Sequence, residues 1–154
     1  MPRADFAFSH RLRVRWSETD AQGVVFNARY LDYADVAITE YWRAVNFREK
    51  ANGEPMEFHV KKATVTWFAP IKPDELIDVM ARTLATGRTS MTQVVEIHGA
   101  TDDGSDDLRA TVDLVSVHVD LAEQRPMTLP SGIADIFREF DGQGPSATLA
   151  SSDA

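Results

Sequence analysis

The chain has 154 residues, 44% of them hydrophobic and 26% charged, which fits one soluble globular domain large enough to bury a core. There is no cysteine, so disulfides, thiolate nucleophiles and zinc–cysteine sites are excluded. The net charge of −8 argues against nucleic acid as a partner. No run is long and apolar enough to be a membrane span, and MPRADFAFSHRLRVRW lacks the apolar core of a signal peptide. A cytoplasmic protein with no membrane partner is expected.

The first predicted element is a strand in which Phe6, Phe8, Leu12, Val14 and Trp16 alternate with Arg11, Arg13 and Arg15, the period of two of a strand with one buried face. Thr19 to Gly23 reads as a turn, with Asp20 suited to side-chain-to-backbone bonds and Gly23 to a positive φ. A long helix follows from about Ala28 to Val45, with Asn27 placed as its N-cap. Its apolar residues spread around most of the circumference, and Asp32, Asp35, Thr39 and Arg43 form one narrow polar stripe. Such a helix predicts burial on most sides, partly by the sheet of its own chain and partly by a second copy.

Asn52, Gly53, Glu54 and Pro55 read as a loop. Strands are expected over Phe58–Phe68, Leu76–Thr86, Ser90–His98 and Leu108–Leu121, the middle pair joined by a Gly87-Arg88 turn. GATDDGSDD reads as a solvated acidic hairpin loop with no partner of its own. In the last strand the apolar phase moves from Leu108, Ala110, Val112 and Leu114 to Val115, Val117, Val119 and Leu121, which predicts a β-bulge or a change of buried face. A short helix from Gly132 to Phe140 closes a domain spanning residues 1–140, and 141–154 reads as a disordered tail. The fold class is α+β, with five antiparallel strands curling around one long helix.

The run VRWSETDAQGVVFNARYLDYAD resembles the hot-dog-fold acyl-CoA thioesterases of the 4-hydroxybenzoyl-CoA thioesterase type. The match is an Asp, a Gly three residues on, a helix start seven residues after the Asp, and a Tyr opening the helix: Asp20, Gly23, Asn27 and Tyr30. Gly87-Arg88-Thr89-Ser90 is similar to the family's coenzyme A-binding turn, and Arg125-Pro126 with Leu129-Pro130 to its close. The chain departs from many members in carrying Glu18 two residues before the Asp, Asn27 where some have His, and Asp35 on the helix with no Arg at Ala37.

The resemblance implies hydrolysis of an acyl-CoA thioester, with Asp20 as base or nucleophile and the Asn27 backbone amide as oxyanion donor. It implies substrate contacts from Gly23, Tyr30, Arg88 and Ser90, and a homodimer or dimer of dimers with the site at the interface. Helix N-terminal amides suit the second task because they are free and lie at the positive end of the helix dipole. Other roles stand beside these: Asp20 as a turn cap, Tyr30 as core, Arg88 as an exposed hairpin residue, Lys61 and Lys62 as a solvated strand edge, Trp67 and Phe68 as core or dimer interface. His10, His59, His98 and His118 show no metal-ligand spacing, so no metal and no cofactor are expected. Two other functions compete. A hot-dog hydratase needs a His near the acid, and none lies between His10 and His59; a non-catalytic module binding acyl-CoA or acyl carrier protein would not need Asp20.

Overall fold

A computed structural model describes residues 1–50, 53 and 56–143. The expected loop at 52–55, Gly53 apart, and the tail from 144 lie outside the described residues. The elements are β1 (Phe8–Arg13), α1 (Arg29–Val45), α2 (Phe47–Lys50), β2 (Glu57–Trp67), β3 (Leu76–Thr86), β4 (Ser90–Gly99), β5 (Leu108–Asp120), β6 (Arg125–Pro126) and α3 (Ile133–Asp141). All strand pairs are antiparallel, in the order β1-β3-β4-β5-β2, with the two-residue β6 beside β5. The fold is the expected α+β arrangement. Among the described residues no helix is long and apolar enough to cross a membrane.

One face of the sheet carries Ile77, Val79 and Ala81 of β3, Met91, Val95 and Ile97 of β4, and Ala110, Val112 and Leu114 of β5, all buried. Onto it α1 lays Tyr30, Tyr33, Ala34, Ala37, Tyr41 and Val45, spaced at three and four residues so that they share one face. Burying a side chain of that size contributes ~1.5–3 kcal/mol, against at most ~1 kcal/mol for exposed ion pairs such as Arg29–Asp32, so packing holds the helix. Burial on most sides is not met within one chain. Leu31 and Val36 are exposed beside the polar stripe, and the sheet covers α1 from one side only.

The first strand is also shorter than its alternation implies. It ends at Arg13, and Trp16 opens a 3-10 turn (Trp16–Glu18) with its ring 70% exposed. Phe6 crosses to the other face of the sheet and packs on Met80 and Val94, because residues 3–5 form another 3-10 turn. That outer face carries buried charge: Asp78 is clamped by Arg3 (2.9 Å) and Arg11 (2.8 Å). Arg11 also reaches Asp102, while Arg109 binds Asp107 and Glu75. The acidic loop therefore has partners within the chain, contrary to its reading as a free solvated segment.

The apolar phase change in β5 is not matched by a change of buried face. The strand stays regular against β4 from Ala110 to Val117, and its even positions remain buried through Ser116 and His118. The bulge lies across from it in β2, where Lys61 is extra between the pairs Val60–Ser116 and Lys62–Val115. His118 meets its burial by bonding the Thr128 carbonyl through Nδ1 (3.0 Å) and tilting against Phe58.

Gly132, in the left-handed region at φ 85°, leads into α3, whose Ile133 and Phe137 complete the core. Asp141 ends this helix and belongs to the packed domain. Its carboxylate accepts from the Tyr41 hydroxyl (2.8 Å) and the Thr83 amide (3.0 Å).

Candidate active site

Residues 14–28 join β1 to α1 and form a pegged hairpin. Val14 and Asp74 tie its start to the loop before β3 through Val14 N–H to Glu75 O (2.9 Å) and Asp74 N–H to Val14 O (3.1 Å). Thr19 bridges Val25, Asp20 N–H donates to Val24 O (2.9 Å), Gly23 N–H to Asp20 O (3.0 Å), and Phe26 N–H to Glu18 O (3.0 Å). Val25 N–H reaches the Ile71 carbonyl (2.8 Å) and fixes the hairpin to that loop. Gly23 sits at φ 76° with open space where a Cβ would stand, so conformation alone demands glycine there.

Asp20 is half-buried at the head of this hairpin. Its Oδ1 accepts the Gln22 amide (2.8 Å), the turn-capping role that competed with catalysis. Its Oδ2 has no hydrogen-bond partner among the described residues, so the cap leaves one carboxylate oxygen for chemistry.

The start of α1 differs from the expectation. The N-cap is Ala28, not Asn27, and no side chain caps the helix. The first bonds are tight, from Arg29 to Phe26 O, Tyr30 to Asn27 O and Leu31 to Ala28 O, and they leave the Asn27 and Ala28 amides without an acceptor among the described residues. Asn27 is exposed. Free amides at a helix N-terminus can stabilise a developing oxyanion, and a carboxylate can take a proton from water or attack directly. One short unit carries both groups.

The other expected site residues lie elsewhere. Tyr30 is 2% exposed and stands edge-on to Tyr33 and Trp67, with its hydroxyl against the Ile71 backbone; burial pushes its pKa up. Within one chain it is a core residue. Arg88 is exposed in the β3–β4 turn, and Ser90 beside it closes that turn by accepting the Gly87 amide on its carbonyl (2.7 Å). A single chain does not bring these two to Asp20. The Asp20 hairpin adjoins Leu76 at the start of β3, and Arg88 follows Thr86 at its end, roughly 30 Å away at ~3.3 Å per residue.

A cavity of about 540 Å³ also misses Asp20 and Asn27. Its walls include Asp35, Ile38, Trp42, Arg43, Phe58 and Val60, from the middle and last turns of α1 and the far end of β2. Lys61 and Lys62 are exposed on β2, as are Trp67 and Phe68 at and just beyond its near end. Among the described residues no cluster of His, Asp and Glu is arranged to hold a metal.

Sequence reasoning treated Glu18 only as a departure from a pattern. It is a buried carboxylate that accepts the Arg15 amide (2.8 Å) and the Tyr33 hydroxyl (3.0 Å). The signal was present in the Arg15–Glu18 spacing, since a Glu three residues into a turn is placed to reach back to the amide at its start.

A sequence profile of the thioesterase-like superfamily matches residues 14–137. The acyl-CoA thioesterase YbgC of Haemophilus influenzae is 32% identical over 146 residues, covering 88% of this chain and 98% of its own. The crystal structure of a thioesterase from Thermus thermophilus, complexed with coenzyme A and zinc, superposes with a TM-score of 0.74 at 27% identity, over 90% of this chain and 98% of that one. A mutant 4-hydroxybenzoyl-CoA thioesterase complexed with 4-hydroxybenzoyl-CoA has a TM-score of 0.73 over 84% of this chain and 97% of its own; at 15% identity that likeness concerns the fold alone.

Proposed function

Since the chain belongs to the thioesterase-like superfamily, has its hot-dog fold and is an acyl-CoA thioester hydrolase, we propose that Asp20 and the Asn27 backbone amide carry the reaction. The observation that supports this reading most is the hairpin–helix unit itself. It offers a carboxylate oxygen without a protein partner among the described residues and, at its other end, amide donors without an acceptor there.

In this reading the thioester carbonyl oxygen faces the start of α1. As water adds to the carbonyl carbon, Asp20 takes its proton and the Asn27 N–H stabilises the negative charge on oxygen. The tetrahedral centre then expels coenzyme A as a thiolate, which leaves readily without a strong acid, and the acyl group departs as carboxylate. If Asp20 instead attacks directly, an acyl anhydride forms on it and water releases the acid in a second step. Both routes need the same two groups.

The active enzyme is a homodimer in this proposal, joined along β2. That strand is the sheet's outer edge, and it is exposed along most of its length, including Val60 at 60%. Pairing two such edges about a twofold is antiparallel, so the Asp20 end of one chain meets the Arg88 end of the other. The partner copy then supplies what one chain holds roughly 30 Å away (~3.3 Å per residue), namely an arginine fork for coenzyme A phosphates and the cavity beside Trp42. A cytoplasmic location belongs to the same proposal.

The reading is tested by thiol release from a panel of acyl-CoAs, short to long chain plus benzoyl and 4-hydroxybenzoyl. Cleavage of at least one class is the expected result, and its identity names the acyl group. A folded protein that binds acyl-CoA but cleaves none would be a binding module. Arg88→Ala is expected to raise KM for the best substrate about tenfold with kcat little changed, as loss of a charge-assisted phosphate contact should. Sedimentation as a monomer at micromolar concentration would remove the shared site.

A further inference from the structure

Glu18, two residues before Asp20, is 7% exposed, and both of its oxygens are occupied. Oε1 accepts the Arg15 amide (2.8 Å) and the Tyr33 hydroxyl (3.0 Å), while Oε2 faces the Arg15 guanidinium at 3.4 and 3.5 Å. Tyr33 is 2% exposed and comes from α1, six residues beyond Asn27. Burial and, after it, the charge of Glu18 push its hydroxyl pKa up, so it stays a donor throughout the working range of the enzyme.

This bond crosses between the two halves of the site. The hairpin that carries Asp20 rises from a base at Glu18, whose carbonyl accepts the Phe26 amide. Among the described residues Asp20 itself is bonded only within the hairpin, to Gln22, Gly23 and Val24. The helix that presents the Asn27 amide also carries Tyr33. We propose that Tyr33 and Glu18 are positioning residues that set the Asp20 carboxylate against the Asn27 amide. The proposal rests on the catalytic reading of Asp20 given above. It also gives the glutamate a reason: an aspartate at position 18 is one methylene shorter and cannot hold the Arg15 amide and the Tyr33 hydroxyl from the same backbone position.

The experiment measures kcat, KM and thermal unfolding for Tyr33→Phe, Glu18→Asp and Glu18→Gln on the best substrate of the panel, beside Asp20→Asn. Tyr33→Phe is expected to lower kcat about 10- to 100-fold with KM within about twofold, because misplacement of a reacting group by about 1 Å costs rate on that scale. Glu18→Asp is expected to do the same while keeping the charge, which covers the case where Tyr33→Phe does not fold. Glu18→Gln keeps an acceptor of the right length, and its kcat is expected to stay within about threefold. Wild-type kcat in folded Tyr33→Phe or Glu18→Asp, with only a lower unfolding temperature, would make the peg purely structural and overturn the proposal. Turnover by Asp20→Asn would instead remove the catalytic reading, so the two failures are distinct.

Discussion

Asp20→Asn is expected to lower kcat by about 10²–10⁴-fold, the range that a positioned base or nucleophile supplies. The substitution is nearly isosteric. The asparagine carbonyl can still accept the Gln22 amide, so the turn, the left-handed Gly23 and the Val25–Ile71 tie remain. What disappears is the charge on the second carboxylate oxygen. Unfolding temperature and sedimentation are therefore expected to match the wild type, and thiol release to fall away. A variant that still turned over within tenfold of the wild type would take Asp20 out of the mechanism.

The largest stability effect is expected on the other face of the sheet, at Asp78. Its side chain is 1% exposed between Arg3 and Arg11. Burial alone would raise its carboxyl pKa, but the hydrogen bonds from Arg11 and then Arg3 outweigh burial and hold it below the ordinary value of 3.8. Asp78→Ala leaves two partly buried guanidinium groups without their shared anion, a loss of about 3–5 kcal/mol out of the ~5–15 kcal/mol that keeps a domain folded. Chemical denaturation checks the size of the effect.

The pH dependence follows from the same clamp. A carboxyl whose folded pKa is depressed contributes stability that is fully present above its unfolded pKa and is lost as pH falls through the folded one. Wild-type unfolding temperature should therefore drop below about pH 4, the unfolded carboxylate range. Asp78→Ala should drop less over the same interval. Parallel slopes for the two proteins would contradict the assignment. Because this clamp lies on the face of the sheet turned away from α1, kcat of the folded variant is expected to be unchanged.

Local patterns carried most of the fold. The strand expected over Leu76–Thr86 and the Gly87-Arg88 turn placed β3 and its turn into β4 to the residue. The spacing from Asp20 to Tyr30 located the hairpin and the helix start together. What the pattern could not carry was contact between distant residues. Trp16 continues the alternation of β1, yet the chain has already turned there because Glu18 reaches back to the Arg15 amide. The phase change in β5 is real in sequence, yet the strand keeps its even positions buried, and the bulge lies in β2, a strand some fifty residues earlier that pairs beside it. The acidic loop looked unpartnered because Arg3 and Arg11 stand about ninety to a hundred positions away.

Periodicity has a related limit. An apolar ring around α1 calls for cover without saying from which chain, and the sheet of its own chain supplies it from one side, leaving Leu31 and Val36 exposed. For the site proposed above, residue types and spacing pointed to Asp20 and the helix start. They gave no hint that Arg88 lies at the opposite end of β3, since separation along a sheet depends on which strands pair.

The three tryptophans stand in three different environments. Trp42 is half-buried, wedged against Phe47 and Phe58, and its indole donates to Gln93. Trp16 is 70% exposed on the turn before Asp20, and Trp67 is 48% exposed at the end of the edge strand, edge-on to Tyr30. The chain thus holds an unlabelled optical gauge. If two copies pair along β2 as proposed, covering that edge is expected to remove Trp67 from water and shift its emission to shorter wavelength, while Trp42 changes less. Dilution followed by fluorescence would then read how tightly the proposed dimer holds together, and a Trp16→Phe variant clears the background for that reading.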